Sequence, residues 1–333
     1  MTGGDEAMHI LITGAGGMLG QKLARAIAAR PVIAGRSVGR LTLADMAAPP
    51  VPDREGLSVP LALDIAAPEA PARLLADRPD IIFHLAAVLS GESEADLEKG
   101  YRVNLDATRA LFDAIRRLPD YRPRFVQAST LAVYGAPFPD PVPDDFHLAP
   151  SSSYGTAKAM AELLLNDFSR RGYLDGIALR LPTICIRPGR PNRAASSFFS
   201  GILREPLAGL PADLPVGEDF RHYYASPRAA TGFFLHAAEI ELAPLGTDRG
   251  LVMPGVSATV GEQIEALRRF AGQSAVDLIR RVRDPAVEAI VTTWAGRYEA
   301  SRARALGFVA EADFDAILRV YAEDDMPRRD AAP

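Results

Sequence analysis

The sequence is poor in cysteine and in long apolar runs, and its basic residues form no cluster. The single cysteine, Cys185, excludes a disulfide within the chain and favours a reducing cytoplasm. No apolar run approaches the ~18 residues of a membrane span, and the polar start MTGGDEAM is unlike a signal peptide. The net charge is -5, and arginines are scattered among acids, which argues against nucleic acid as a partner. We therefore expect a soluble cytoplasmic protein that binds neither nucleic acid nor membranes.

Lysine is also scarce. Of 37 basic residues only Lys22, Lys99 and Lys158 are lysines, and Lys158 follows Tyr154 by four positions in SSSYGTAKAM (151–160). An arginine would suit an exposed helix position equally well, so this lysine favours a role for a compact ammonium of adjustable pKa. An exposed lysine without a special role is the alternative.

Short apolar runs alternate with helical patterns through the first 180 residues. Buried strands are predicted at MHILIT (8–13), LTLAD (41–45), LSVPLAL (57–63), DIIFHLA (80–86), RFVQAS (124–129) and GIALRLP (176–182). Apolar residues recur at helical spacing over 94–118 and predict an amphipathic helix there. Alternating strands and helices indicate an α/β protein with a doubly wound parallel sheet covered on both faces.

A glycine-rich turn joins the first strand to the first helix. Gly14, Gly17 and Gly20 follow a β-branched strand and open a helix rich in alanine and leucine. Glycines there permit a tight turn and a close approach of the backbone to a pyrophosphate at the helix N-terminus. The context is that of a dinucleotide site, and an ordinary glycine-rich turn is the alternative.

Two aspartates end later strands. Asp45 comes 25 residues after Gly20, where a carboxylate can accept both ribose hydroxyls of NAD and would repel a 2′-phosphate. NAD is therefore expected, although Arg36 and Arg40 just upstream leave NADP open. Asp64 ends the third predicted strand, where it either meets the adenine amino group or caps a helix.

The pattern changes after Pro182. Short helices are predicted near 196–204 and 227–240, a strand near 250–253, and a helix at 259–271. We expect an NAD-binding Rossmann domain over 8–182, with the strand near 250–253 as a possible addition. A smaller, mostly helical C-terminal substrate-binding lobe then covers 183–325, and 326–333 form a disordered tail.

Tyr154 and Lys158 lie on one face of a predicted helix, and Ala161, Leu165 and Phe168 continue that face. Both polar groups should therefore point towards the sheet. An ammonium beside a phenol favours the phenolate, and lowering a phenol pKa from ~10 towards 7 makes it a general base towards an alcohol. Ser129 and Thr130 end a neighbouring strand and offer a hydroxyl to the substrate oxygen.

These motifs together resemble the extended short-chain dehydrogenase/reductase family, which includes NAD-dependent nucleotide-sugar epimerases and dehydratases. The resemblance rests on Thr13–Gly20, HLAA (84–87), STLAVYG (129–135) and the Tyr154/Lys158 pair, and it extends over roughly 8–325. It implies Thr130 as the catalytic hydroxyl, with Ser129 second, beside Tyr154 and Lys158. It also implies homodimers through the helices near 96–117 and 154–170.

The resemblance further implies a set of residues in contact with NAD. These are Gly14, Gly17, Met18, Leu19, Asp45, Asp64, Ile65, Leu85, Ala86, Ala87, Asn104, Tyr154, Lys158, Leu181 and Thr183. No metal is expected.

Departures from the family pattern narrow the reaction. Leu131 and Ala132 stand where sugar dehydratases carry the acids that eliminate water, which argues against dehydration. RLPTICIRPG (180–189) and MPGVSATVGEQIEALR (253–268) resemble the D-erythronate dehydrogenase branch, which oxidises the 2-hydroxyl of a small sugar acid with NAD. A nucleotide-sugar 4-epimerase with tightly bound NAD is the alternative, and a non-catalytic dinucleotide sensor is a third possibility.

A sugar acid brings a carboxylate, which needs a positive partner where it is buried. Arg221 is the first candidate in the second lobe and Arg187 the second, because a planar guanidinium can meet both carboxylate oxygens. Ser90 and Glu92 follow HLAAVL and are candidates for binding substrate hydroxyls, together with Thr130 and Tyr154. A surface ion pair is the alternative role for each arginine.

Overall fold

The described residues are 7–52, 56–189 and 195–326 of a computed structural model. They divide into two units. The first contains the chain through Tyr134, His147–Leu181 and Thr231–Met253, and the second contains Gly135–Phe146, Pro182–Ala230 and the chain from Pro254. Met326, the first residue of the predicted tail, is half-buried and packs against the core of the second unit. The rest of that tail, 327–333, lies outside the described residues.

The first unit is built on one large sheet. Its strands are β1 (Met8–Thr13), β2 (Val32–Ile33), β3 (Arg36–Asp45), β4 (Ser58–Ala62), β5 (Ile81–His84), β6 (Arg124–Thr130), β7 (Asp175–Leu181) and β11 (Gly250–Val252), numbered along the whole chain. They are ordered β11-β7-β6-β5-β1-β3, with β4 and β2 both paired to β3. All pairs are parallel except β2 with β3. The predicted doubly wound α/β fold is confirmed, and the predicted strand near 250–253 joins this sheet.

Helices and helical turns connect these strands. They are α1 (Met18–Ala28), α2 (Ala70–Leu74), α3 (Ser90–Ala95), α4 (Leu97–Tyr101), a π-helical turn (Arg102–Asp106), α5 (Ala107–Arg117), a 3₁₀ turn (Leu131–Val133), α6 (Ser153–Arg170) and a second 3₁₀ turn (Ala243–Leu245). Helix α8 (Pro227–Glu239) contains the point at which the two units divide.

The prediction of one continuous amphipathic helix over 94–118 is wrong. The chain is helical on both sides of Asp96, but Asp96 itself is extended, with φ -136° and ψ 90°. Its carboxylate accepts a hydrogen bond from the backbone N–H of Lys99 at 3.0 Å and so starts α4. An aspartate that bonds to the local backbone competes with helix continuation, and this effect is not visible in the apolar periodicity.

The core of the first unit covers the sheet with apolar side chains. All six residues of β1 are buried, as expected for a strand covered on both faces. Leu111, Phe112 and Ile115 form the buried face of α5. The ring of Phe112 meets that of Phe125 on β6 edge to face, with centroids 4.9 Å apart.

The second unit has its own core and two small sheets. Strands β8 (Thr183–Ile184), β10 (Arg221–Ala225) and β12 (Val256–Thr259) form one, and β9 (Ala212–Leu214) and β13 (Ile279–Arg281) form the other. Its helices are α7 (Ser197–Leu207), α9 (Val260–Ala271), α10 (Gln273–Val276), α11 (Pro285–Val291), α12 (Ser301–Ala305) and α13 (Phe314–Asp324). The helices predicted near 196–204, 227–240 and 259–271 are confirmed. Within the described ranges no helix is both long enough and apolar enough to cross a membrane.

Candidate dinucleotide and catalytic site

The strand order places a crevice above β1. Strands β3 and β5 flank β1 on opposite sides, so the chain leaves β1 in one direction along the sheet and later continues in the other. Such a switch point opens a crevice at the carboxyl ends of the strands, where ligands bind in open α/β sheets. The predicted dinucleotide loop lies at this point.

The glycines of that loop are required by close contacts. Gly14 has φ +74°, and a Cβ on it would lie 2.6 Å from the backbone nitrogen of Ala86. A Cβ on Gly20 would lie 2.2 Å from the carbonyl oxygen of Gly14. Helix α1 begins at Met18 after Gly17, which has no side chain to bond the first N–H groups of the helix. These N–H groups and the helix dipole form a cradle for an anion.

Asp45 lies beside this cradle at the end of β3. One carboxylate oxygen accepts from the N–H of Gly16 at 2.8 Å, and the other accepts from the N–H of Met46 at 2.7 Å. Each oxygen keeps a further lone pair for a ribose hydroxyl. Arg36 and Arg40 lie near the start of β3 and form ion pairs with Asp80 and Asp77, both at 2.7 Å. The doubt that these arginines raised about NADP is therefore answered, because they are engaged away from Asp45.

Asp64 is engaged by its own turn. One oxygen accepts from the N–H of Ala66 at 2.9 Å, and the other lies 3.3 Å from a guanidinium nitrogen of Arg102. Ile65, next to it, is buried. Asp64 does not cap a helix, since α2 begins only at Ala70.

The segment after β5 is fixed above the loop. The N–H of Leu85 donates to the carbonyl of Thr13 at 3.0 Å. The Thr13 hydroxyl pairs with Nδ1 of His84 at 2.8 Å, and Nε2 of His84 pairs with the Thr108 hydroxyl at 3.0 Å. Burial, assisted by the charge of Lys158, lowers the pKa of His84 to about 3, so its ring is neutral. Leu85, Ala86 and Ala87 remain half-buried, open on one side to the crevice.

Asn104, a predicted contact of NAD, is bonded within the protein. Its amide oxygen accepts from the N–H of Val88 at 2.9 Å, and its amide nitrogen donates to the carbonyl of Val88 at 3.1 Å and to Ser93 at 3.2 Å. The buried amide therefore holds the segment that follows Ala87. This long-range contact could not be read from local spacing.

Tyr154 and Lys158 are stacked as predicted. Ser152 caps α6 by accepting from the N–H of Gly155 at 3.0 Å, which places Tyr154 in the first turn. The ammonium of Lys158 lies 5.9 Å from the centroid of the Tyr154 ring. It is 3% exposed and donates to the carbonyl of Ala128 on β6 at 3.1 Å. Both side chains thus face the sheet.

The pKa values of this pair differ from the expectation. Burial raises the pKa of Tyr154 to about 12 instead of lowering it. Burial also lowers the pKa of Lys158 to about 8, and the nearby Glu162 opposes that change. In the protein alone desolvation outweighs the attraction between phenolate and ammonium, so the tyrosine rests in its protonated form.

The two candidate hydroxyls, of Thr130 and Ser129, lie in different surroundings. Thr130 is half-buried at the end of β6, and its hydroxyl accepts from the N–H of Ala132 at 3.1 Å. Ser129 is buried and donates a short hydrogen bond to Glu162. Alternate residues of a strand point to opposite faces, so only one of the two can serve the crevice. Thr130 stays the predicted catalytic hydroxyl, and Ser129 belongs to a buried network.

That network was not predicted. Glu162 and Arg180 form a buried ion pair in which Nη2 and Nε of the guanidinium both donate to Oε2 of the carboxylate, at 2.7 and 3.0 Å. Arg180 also donates to the Tyr134 hydroxyl at 2.6 Å. A signal was available, since Glu162 follows Lys158 by the same four residues that separate Lys158 from Tyr154.

The candidates for hydroxyl binding lie on α3. Ser90 is exposed and begins the helix, and Glu92 forms an exposed ion pair with Lys99. That pair raises the pKa of Lys99. Leu181, half-buried, ends β7.

The remaining predicted residues belong to the second unit. Thr183 pairs through its hydroxyl with Nε2 of His222 at 2.7 Å. Arg221 donates to the carbonyl of Ser257 at 3.2 Å and lies 3.3 Å from a carboxylate oxygen of Glu262. Its charge therefore already has a partner.

Arg187 is in a different situation. It is half-buried, and its guanidinium donates to the Ser196 hydroxyl at 3.0 Å. Burial and the neighbouring Arg204 lower the pKa of Arg187, and in the described part of the chain no carboxylate pairs with it. An arginine in this state favours an anion from outside the chain. Among the described residues no group of three His, Cys, Asp or Glu could hold a metal ion.

The sequence is similar to a family model and to known proteins. Residues 10–222 match the model of the NAD dependent epimerase/dehydratase family. A D-erythronate dehydrogenase of Cupriavidus necator is 46% identical over 321 residues, covering 95% of this chain and 98% of that protein. A D-erythronate dehydrogenase of Haemophilus influenzae is 38% identical over 319 residues, covering 96% and 100%.

A solved structure is also similar over nearly its whole length. The crystal structure of a nucleoside-diphosphate-sugar epimerase from Agrobacterium tumefaciens matches with a TM-score of 0.94 and 52% identity, and the match covers 97% of each chain. The names of these similar proteins describe two different reactions.

Proposed function

The chain belongs to the NAD dependent epimerase/dehydratase family, and on that premise we propose that it oxidises the 2-hydroxyl of a small sugar acid such as D-erythronate to the 2-oxo acid. It is an NAD-dependent oxidoreductase, and NAD is its cofactor. The observation that carries the substrate proposal is the near full-length similarity to two D-erythronate dehydrogenases, combined with the stacked Tyr154/Lys158 pair.

The residues around the crevice fit NAD. The first N–H groups of α1 and the glycines before them would hold the pyrophosphate, and Asp45 would accept from the ribose hydroxyls. The backbone of Leu85–Ala87 would cover the dinucleotide from the side of β5. Asp64 has its turn and Arg102 as partners, so we assign it a smaller part in binding adenine.

Three side chains would serve the reaction. The Thr130 hydroxyl would hold the substrate oxygen, and the Tyr154 phenolate would take the proton of the 2-hydroxyl. Lys158 would keep its ammonium beside the developing phenol and hold the nicotinamide ribose. NAD, when bound, accepts the hydride from the carbon that carries the 2-hydroxyl. In total the alcohol loses one hydride and one proton and becomes a ketone.

The protonation states of Tyr154 and Lys158 in the protein alone bear on the direction of the reaction. Because the protein alone keeps Tyr154 protonated, the tyrosine is ready to donate a proton to a 2-oxo acid. To act as a base it needs positive charge close to the phenol, which Lys158 supplies below its pKa of about 8.

For the substrate carboxylate we favour Arg187 over Arg221. Arg221 already pairs with Glu262, whereas no described carboxylate meets Arg187. A desolvated guanidinium gains most from a carboxylate that binds it with two hydrogen bonds. Ser90 and Glu92 stay proposals for hydroxyl contacts, and Glu92 would first have to release Lys99.

A homodimer is proposed through the helices near 96–117 and 154–170. Leu97 on α4 is 56% exposed, and Met160 and Leu163 on α6 are 42% and 59% exposed. Neighbouring helices with large apolar side chains in solvent favour association with a second copy. Measurement of the molar mass in solution tests this. The cytoplasmic location also stays a prediction.

One assay separates the proposed reaction from its alternatives. The purified protein would be given NAD with D-erythronate, with other small sugar acids, and with nucleotide sugars, while NADH is followed by its absorbance. We expect NADH to accumulate with a sugar acid. A 4-epimerase would convert a nucleotide sugar without net NADH, and a dinucleotide sensor would bind NAD and turn over nothing. Either of these results would replace the proposal.

A further inference from the structure

A buried cluster connects α6 to the strands on which it packs. We call it the Glu162 network: Ser129 on β6, Tyr134, Glu162 on α6 and Arg180 on β7. Glu162 is 1% exposed, yet it accepts from Ser129 and twice from Arg180. Both of its carboxylate oxygens are bonded, so the charge is held in one place.

Further contacts fix the arginine. Its guanidinium donates to the Tyr134 hydroxyl and lies 5.2 Å from the centroid of that ring. On β11 a Cβ at Gly250 would lie 2.4 Å from a guanidinium nitrogen of Arg180 and 2.7 Å from a carboxylate oxygen of Glu162. The charge of Asp248, just before β11, also acts on Arg180. The chain thus leaves space for this ion pair at the cost of a side chain on β11.

The network is aligned with the proposed catalytic pair. Tyr154, Lys158 and Glu162 follow each other at intervals of four residues along one face of α6. The groups that face Lys158 are the carbonyl of Ala128 on β6, the neutral ring of His84 on β5, and Tyr154 and Glu162 on its own helix. Among these, Glu162 alone carries a negative charge.

We propose that Glu162, held in place by Arg180 and Ser129, is a positioning residue for catalysis: its carboxylate lies one helical turn from Lys158 and stabilises the ammonium beside Tyr154. The inference rests on the proposed role of Lys158. Desolvation alone lowers the pKa of Lys158, and Glu162 opposes this. Without the carboxylate, the lysine would lose its proton at a lower pH and would no longer supply positive charge to the phenol.

A purely structural ion pair would behave differently. Buried pairs of this kind are often replaceable by apolar residues without loss of stability. Stability alone therefore does not explain why the charges of Glu162 and Arg180 are buried in this part of the protein. Loss of a purely structural pair would change the unfolding temperature but leave the pH dependence of kcat unchanged.

The scarcity of lysine makes a direct test possible. With ¹³C-labelled lysine, the protein should give three side-chain NMR signals, from Lys22, Lys99 and Lys158. The signal of Lys158 is assigned by its absence in Lys158→Arg. Its pH midpoint is then measured in the full chain without substrate, so the result does not depend on which sugar acid the enzyme uses.

The test variant is Glu162→Gln, which keeps the shape of the side chain and removes its charge. We expect the Lys158 midpoint to fall by about 1 to 2 pH units, and the alkaline limb of the kcat profile to move to lower pH with it. The matched control is Asp167→Asn, which removes a charge from an exposed position on the same helix and should move neither.

Glu162→Gln leaves Arg180 buried beside a neutral partner, so a second variant guards against failure to fold. Glu162→Leu combined with Arg180→Met removes both charges, and it should lower the Lys158 midpoint in the same direction. An unchanged midpoint in a folded Glu162→Gln protein, or in the folded double variant, overturns the inference. The proposed function fails by a different result, which is the absence of NADH formation with every sugar acid tested.

Discussion

The ammonium of Lys158 lies one helical turn from Tyr154, 5.9 Å from the centroid of its ring, and donates to the carbonyl of Ala128 at 3.1 Å. The first relationship follows from helical spacing, and the second fixes α6 against β6. Burial shifts the pKa values of the two side chains in opposite directions, to about 12 for the tyrosine and about 8 for the lysine. Burial thus stabilises the neutral form of each group, and near pH 7 the tyrosine is neutral while the lysine, below its pKa of about 8, still carries its charge.

Tyr154→Phe should lower turnover by about two orders of magnitude or more and leave NAD affinity nearly intact, because proton transfer by a positioned group typically contributes about 10²–10⁴. Steady-state kinetics with a sugar acid, and titration with NADH followed by fluorescence, measure the two quantities. Near-normal turnover in the variant would end the assignment of Tyr154 as the base.

Lys158→Arg should be impaired although it keeps the positive charge. The position is 3% exposed, and the planar guanidinium cannot replace an ammonium that donates to the carbonyl of Ala128 without displacing its neighbours. We expect at least about a tenfold loss in kcat, of the order of one lost charge-assisted hydrogen bond. Lys22→Arg on α1 is the matched control and should keep its activity. A fully active Lys158→Arg enzyme contradicts the special role of lysine.

The enzyme should prefer NAD to NADP because of Asp45. A ribose 2′-phosphate would meet a carboxylate that is fixed by the N–H groups of Gly16 and Met46. Asp45→Ala should weaken the binding of NAD and so reduce the preference for NAD over NADP. The ratio of kcat/KM for the two cofactors measures this preference. Asp213→Ala removes an exposed acid of the second unit and serves as the control. Equal efficiency with NADP in the unmodified enzyme would refute the assignment.

Arg187→Met should raise KM for the sugar acid by about tenfold or more, as expected for the loss of a hydrogen bond to a charged group. Affinity for NAD should not change. Arg221→Ala should have a smaller effect, since Glu262 already pairs with that arginine. Arg228→Met, which breaks an exposed ion pair with Asp324, is the control. A larger effect at Arg221 than at Arg187 would reverse their roles.

Stability should fall in acid because of His84. Burial lowers its folded pKa to about 3 from an ordinary value of 6.5, so between these values the unfolded chain binds a proton that the folded chain does not. The free energy of unfolding is therefore lost as pH falls through this window, by at most about 1.4 kcal/mol per pH unit for this histidine. His84→Gln should reduce the slope of stability against pH between about 6 and 4, measured by urea unfolding.

The matched control for this measurement is His147→Gln, which changes an exposed histidine. His222 is buried with a pKa of about 3 and adds to the same slope, so the slope in His84→Gln should be reduced and not abolished. An unchanged slope would show that His84 is protonated without loss of its bonds to Thr13 and Thr108.

The sequence by itself determined the strands, the dinucleotide loop and the stacked pair. Each shows in a local pattern: the apolar run of β1, the glycine spacing between that strand and a helix, and the four-residue spacing of Tyr154 and Lys158. These patterns involve residues close in the chain, so a single sequence displays them.

Only the tertiary structure decided the partners of the polar side chains. Asn104 bonds to Val88, Ser129 to Glu162, and Glu162 to Arg180, across 16 to 33 positions of the chain. The high pKa of Tyr154 has the same origin, because it depends on which groups surround the residue after folding. Hydrogen bonding and desolvation act through space, and sequence spacing does not record which distant groups will meet.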